Sequence, residues 1–145
     1  MPMVGAGSVH YGTANEEESL ALGRGFLTGT LTRRTDLGEG DYRLVDPRFS
    51  EENFGTNLAI VDVLKAVAQA HGASAAQVGL AWLLAQGEDI APIPGSKRRA
   101  TMKDSMAAAE LELTHAELAT LDAAAPRGRT SGPRYGASMM SMVDR

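Results

Sequence analysis

The chain has 145 residues, 43% of them hydrophobic and 22% charged, with a net charge of −4. That length suffices for one domain with its own core, and the negative balance argues against general binding to nucleic acid or to a membrane surface. Cysteine is absent, which excludes disulfides, thiolate catalysis and cysteine-based metal sites and fits a reducing, cytoplasmic compartment.

Met1 to Gly12 is glycine-rich and weakly apolar. Gly5 and Gly7 start a dinucleotide-type spacing, but His10 stands where the third glycine belongs and no strand precedes it. No basic region leads into an apolar run, so no signal peptide is expected. No stretch approaches about 18 uncharged apolar residues, so no membrane span is expected. Asn15 is a good helix N-cap, and Glu16, Glu17 and Glu18 follow where a helix N-terminus favours acids. Consecutive acids point to different faces, so this run is a helix start rather than a metal site. Leu22-Gly23-Arg24-Gly25-Phe26-Leu27-Thr28-Gly29 comes next. Thr30 to Phe54 is polar and rich in turn residues, among them Gly38, Gly40 and Asp46-Pro47, and reads as a long loop.

Leu58, Val61, Leu64, Val67 and Ala68 recur at helical spacing, with Asn57 and Gly72 as caps, which predicts a helix over 57–72. Ser74 and Gln77 form a capping box for a second helix to about Gln86, apolar nearly all round and therefore buried, with Trp82 as a core anchor. Ile90-Ala91-Pro92-Ile93-Pro94 then reads as a short buried strand, barred from helix by its prolines. Gly95-Ser96 supplies a turn and a candidate N-cap hydroxyl, and a helix is expected from about Lys97 to Glu110, packing through Ala100, Met106, Ala107 and Ala109. Lys97, Arg98 and Arg99 sit in its first turn, where the helix already carries partial positive charge. Backbone N–H groups, a helix dipole and three cations converge there, and a phosphate is the anion that fits best; the alternative is a solvated basic turn with no ligand, since short basic runs are common on surfaces. Thr114 and Glu117 form a second capping box, opening a helix that stops at Pro126. Residues 127–145 read as a mobile tail.

Ile93-Pro94-Gly95-Ser96-Lys97-Arg98, followed by a helix and by Leu111-Glu112-Leu113-Thr114 to Ala125-Pro126, resembles the end of an aldo-keto reductase. Leu22 to Gly29 resembles that family's Leu-Gly-Arg-Gly-Phe-Leu-Thr-Gly motif, which lies after the seventh barrel strand. Leu20 and Ala21 stand at its Ser and Pro positions. Tyr11-Gly12 through Ala21 resembles the family's opposite end, after the first strand. The resemblance thus implies an internally truncated chain. Residues 1–21 are a first-strand remnant, 22–126 the barrel end with its phosphate-binding loops, and 127–145 a C-terminal tail, all within one domain over 1–145. The fold class expected is α/β, an incomplete (β/α)8 TIM-barrel fragment with helix dominant, since a full barrel takes roughly 250 residues.

The resemblance also implies a cofactor, NADP(H), and residues to hold it. Leu22, Gly23, Gly25 and Leu27 match the pyrophosphate loop, and Gly95, Ser96, Lys97 and Arg98 match the turn that holds the adenosine 2′-phosphate. Asp104 and Ser105 stand where the family places groups that touch adenine, while Thr101 replaces a frequent arginine. Arg43, Asp46, Arg48 and Phe49 partly match the loop lying over the cofactor. The family's activity is the reduction of aldehydes and ketones, and its four catalytic groups (Asp, Tyr, Lys, His) lie on segments that have no counterpart here. Tyr11, Tyr42, Tyr135, Lys65, Lys97, Lys103, His10, His71 and His115 are the remaining residues of those types apart from aspartate; Tyr11 belongs to the first-strand loop and lacks the aspartate expected before it, Lys97 belongs to the phosphate turn, and none stands on a segment that matches the catalytic ones, so no catalytic residue is assigned. Two readings follow: a catalytically impaired reductase, and a non-catalytic nucleotide-binding or interaction fragment. The expected partners are a nicotinamide dinucleotide, a small carbonyl substrate only where the barrel is completed, and a second copy where faces that a barrel would bury are exposed.

Overall fold

The computed structural model describes residues 22–126, 130–133, 135 and 136. The remnant expected over residues 1–21 and most of the tail lie outside them. Among the described residues the architecture is four α-helices and five single-turn 3-10 helices, with no strand.

The polar stretch 30–54 has more structure than a loop. Three aspartates, each near a 3-10 turn, fold it locally. Asp36 accepts from the Thr32 and Arg33 amides and from the Thr32 hydroxyl beside Arg34–Asp36. Asp41 accepts from the Arg43 amide to open Tyr42–Val45. Asp46 accepts from the Arg48 amide to open Pro47–Phe49, with Pro47 in the first turn. Short polar side chains that bond nearby amides substitute for ladder or helix hydrogen bonds in this way.

Helix α1 spans Glu51–His71, six residues earlier than Asn57 suggested. Ser50 precedes it, and Glu51 and Glu52 favour its N-terminus. Asn57 lies inside the helix, buried, where its amide bonds the backbone of Arg48 and Ser131. The residue type suits a cap, but its use here is tertiary. Gly72 ends α1 with φ at 61°. Helix α2, Ala75–Leu84, has the expected Ser74–Gln77 capping box and buries Ala75, Ala76, Val78, Gly79, Leu80 and Ala81. Trp82 is half-buried beside the α1–α2 core, and its Nε1 donates to Asp122 at 2.8 Å, so it tethers the last helix as well as packing.

The expected strand over Ile90–Ile93 does not form. The segment is neither helix nor strand, and Ile93 is 74% exposed. A strand is stabilised by pairing with a neighbour, and the described residues offer none. Helix α3 runs Arg99–Ala107 and continues as a 3-10 turn, Ala108–Glu110. It starts two residues later than expected because Arg98 is still extended, at φ −123° and ψ 136°. Its expected packing face fails too: Ala100, Met106, Ala107 and Ala109 are exposed, and Ala108 is the residue that reaches the core. Helix α4, His115–Ala124, opens on the Thr114–Glu117 capping box and buries Leu121.

Three clusters make the core. Phe26, Phe49 and Phe54 pack with Leu31, Leu37 and Val61, with Phe26 edge-on to both other rings at centroid distances of 5.2 Å. Leu64, Val67, Ala68, Ala75, Val78 and Leu121 join α1, α2 and α4. Leu22, Ala76, Leu80 and Ala108 join the glycine loop to α2 and to the turn after α3. Leu27 packs against all three.

Candidate functional site

The glycine loop is a left-handed turn. Gly23, Arg24 and Gly25 have φ values of 59°, 58° and 78°, and Gly29 closes the following 3-10 turn at 72°. Three successive residues in this region demand glycine wherever a side chain is not separately secured. The turn is closed by the amides of Phe26, Leu27, Thr28 and Gly29, bonded to the carbonyls of Gly23, Leu22, Gly25 and Phe26. Closing it therefore does not use the amides of Gly23, Arg24 and Gly25. Leu22 and Leu27 turn their side chains into the core, so their direct contribution to a ligand would be backbone.

Charged side chains hold the loop from outside. Arg24 pairs with Asp46, and its guanidinium carbon lies over the rings of Tyr42 and Tyr135, 5.4 and 5.0 Å from their centroids. Arg43 donates to the Arg24 carbonyl at 3.2 Å and to both oxygens of Asp41. The Arg43 guanidinium holds the Asp41 carboxyl below the usual range, against a smaller opposing effect of desolvation.

The second predicted turn is open. Gly95 and Ser96 belong to the same irregular segment, neither helix nor strand, and Ser96, Lys97, Arg98 and Arg99 are all exposed. Ser96 does not cap α3. Its hydroxyl donates to the Arg98 carbonyl at 2.8 Å, and Arg98 occupies the cap position without a side-chain cap bond. Only Arg99 of the three cations is helical. Asp104 accepts from the Ser74 hydroxyl at 2.9 Å, which ties α3 to the N-cap of α2, and Ser105 is half-buried beside it. Both halves of the predicted site thus lean on α2, the glycine loop through Leu22 and α3 through Asp104. Among the described residues no hydrogen bond joins Gly95, Ser96 or Arg98 to the glycine loop. No group of three His, Asp or Glu there could hold a metal, and no helix is long and apolar enough to cross a membrane.

His71 and His115 take structural or solvated places. His71 Nε2 lies 2.8 Å from Glu117 Oε1, linking the end of α1 to the start of α4, and His115 is exposed. Arg24 lies within the glycine motif and Asp46 within the partly matched loop pattern, and neither signal carries a role for the residue itself. Their pairing, and that with Tyr135, spans distances in the chain that local patterns do not reveal.

The sequence profile of the Aldo/keto reductase family matches residues 19–126. The chain belongs to that family. Over 114 residues it is 41% identical to the aldo-keto reductase yakc [NADP(+)] of Schizosaccharomyces pombe, covering 79% of this chain and 34% of the relative. Over 123 residues it is 36% identical to the aldo-keto reductase str7 of Strobilurus tenacellus, covering 85% and 37%. A probable aldo-keto reductase 1 of Glycine max is 34% identical over 114 residues, covering 79% and 33%. The chain spans about a third of the length of these relatives. The family implies a (β/α)8 barrel, whereas the described residues are helical.

Proposed function

We propose that this chain is the phosphate-holding end of an aldo-keto reductase barrel, joined to a first-strand remnant at residues 1–21, and that it binds NADP(H) without reducing carbonyls on its own. The observation that carries this is the glycine loop at Leu22–Gly29, a left-handed turn built and braced within the chain, whose closure leaves the amides of Gly23 to Gly25 unused. Backbone amides at a tight glycine turn suit a pyrophosphate, because Gly23 and Gly25 carry no side chain of their own to block close approach. Lys97 and Arg98, with Gly95 and Ser96, would take the 2′-phosphate. Their exposure leaves them accessible to it, and a name such as that of the yeast relative, which specifies NADP(+), agrees. Asp104 is engaged by Ser74, so at adenine its carboxylate would be shared with the α2 cap. NADP(H) supplies hydride when bound. A proton donor, its lysine and aspartate partners and an orienting histidine must accompany it, and the family segments that carry them have no counterpart here.

A fluorescence titration of the full chain with NADPH, at low and moderate salt and with NADH as control, tests this. Saturable binding that prefers NADPH is expected. Lys97→Ala with Arg98→Ala should weaken NADPH roughly tenfold, as loss of a charge-assisted contact implies, and leave NADH nearly unchanged. A folded chain that binds neither nucleotide overturns the proposal. A pure chain that reduces carbonyls in a tyrosine-dependent way overturns its non-catalytic half.

A further inference from the structure

Arg24 is the only non-glycine with positive φ among the described residues. A side chain in that region costs about 1 kcal/mol, so something must hold it there. Three things do. Asp46, whose side chain is wholly enclosed, pairs with the guanidinium of Arg24, a side chain 13% exposed. Tyr42 and Tyr135 lay their rings against the same group. Arg43 bonds the Arg24 carbonyl. Asp46 is also anchored, since it accepts from the Arg48 amide at 3.0 Å.

Tyr135 arrives from the other end of the chain on a segment with its own fastening. The Asn57 side chain donates to the Ser131 carbonyl and accepts from the Ser131 amide, both at 2.9 Å. Gly132, at φ 88°, lies so close to the Pro47–Phe49 turn that a Cβ would meet the Pro47 carbonyl oxygen at 2.8 Å. The segment therefore seats Tyr135, which is buried, on Arg24.

We propose that Arg24 is the positioning residue of the glycine loop, and that the C-terminal segment sets the loop's shape through Tyr135. This rests on reading the loop as nucleotide-holding. Arg24 is not a phosphate ligand, because its side chain is largely covered and its guanidinium is already engaged by Asp46. The amides around it are what a phosphate would meet, and a loop fixed before binding spares the cost of ordering it afterwards. Removing the Tyr135 ring opens one face of the Arg24–Asp46 pair to water and weakens it.

The experiment reads amide hydrogen exchange at Gly23 to Gly25 and the NADPH dissociation constant in the full chain. Tyr135→Ala should speed exchange there and raise the dissociation constant about three- to tenfold, the range a cation–π contact carries. Tyr135→Phe keeps the ring face and should stay within about twofold of wild type on both readouts. Arg24→Gln should exceed Tyr135→Ala on both, and the Tyr135 pair keeps the test intact should Arg24→Gln fail to fold. Thr114→Ala, which loosens the distant start of α4, should leave exchange at the loop unmoved. Unchanged exchange in Tyr135→Ala overturns the proposal whatever the nucleotide does. Faster exchange with an unchanged dissociation constant overturns it as well. If the wild-type chain binds no NADPH, the nucleotide reading falls by itself, and the exchange arm alone decides whether Arg24 and Tyr135 hold the loop.

Discussion

The loop at Leu22–Gly29 is enclosed by its own surroundings, whereas the turn at Gly95–Arg98 stands in solvent. Behind the first lie three phenylalanines, a buried ion pair and three carboxylates that fold the stretch to Phe49. Behind the second lies α3, which buries no residue and leaves Met102 and Met106 exposed. The difference is one of supply. The supports of the glycine loop come mostly from residues 22–57, so a chain that keeps this stretch keeps most of them. A strand leading into the second turn needs neighbours that the described residues do not contain. Under the proposed reading, the half of the phosphate site at Leu22–Gly29 is braced within the described residues and the half at Gly95–Arg98 is not.

The largest test of this contrast is Phe49→Ala. Phe49 is 1% exposed and touches both Phe26 and Phe54, so its truncation should cost about 4 kcal/mol by urea unfolding. A cost under about 1 kcal/mol, within the range of ordinary surface changes and small core adjustments, would mean the aromatic cluster does not brace the loop. Ser74→Ala should come next, at about 1–2 kcal/mol, because it removes the α2 cap and leaves Asp104 without its partner. Far-ultraviolet circular dichroism would follow the loss of helix. If Asp104→Ala costs as much as Ser74→Ala, α3 is fastened more firmly than its exposure suggests.

What the sequence made legible was what is local. Ser74 with Gln77 and Thr114 with Glu117 both appear as written, because a capping box is set by four residues. Gly72 ended α1 for the same reason. Asn57 misled because residue type cannot tell a cap from a buried amide that bonds Ser131, 74 positions away. Ile90–Ile93 misled because composition reports a preference for extended backbone, while pairing decides whether a strand exists. The residues of the glycine loop were legible as a motif. The Arg24–Asp46–Tyr135 arrangement that secures it was not, since its members meet only once the chain has folded.

A smaller effect separates the glycine loop from a third region, α4, by pH. The Thr114 amide, then its hydroxyl and then His71 hold the Glu117 carboxyl below its usual value of 4.5. A lowered folded value adds stability that is present above 4.5 and lost as pH falls through the folded value. Asp36, held low by the Thr32 and Arg33 amides, and Asp41, held low by Arg43, follow the same sign from their usual 3.8. The α4 link should therefore begin to loosen at higher pH than the carboxylates around the glycine loop. Urea midpoints measured downward from pH 5 should fall, and Glu117→Gln should flatten the upper part of that fall. A Glu117→Gln chain with the wild-type profile would remove α4 from the comparison.

The smallest expected effect is the most pointed. As a buried strand residue, Ile93 would cost about 2–5 kcal/mol on truncation. At 74% exposure, Ile93→Ser should change stability by less than about 0.5 kcal/mol. The measurement should be made at two protein concentrations, because Ile93 shares its exposure with Met102 and Met106, and exposed apolar surface of this kind favours association. A negligible cost at both concentrations keeps the turn bare in the isolated chain. A cost that appears only at the higher concentration would mean that a second copy covers it. A large cost at both would place Ile93 in a core of the single chain and erase the contrast with the glycine loop.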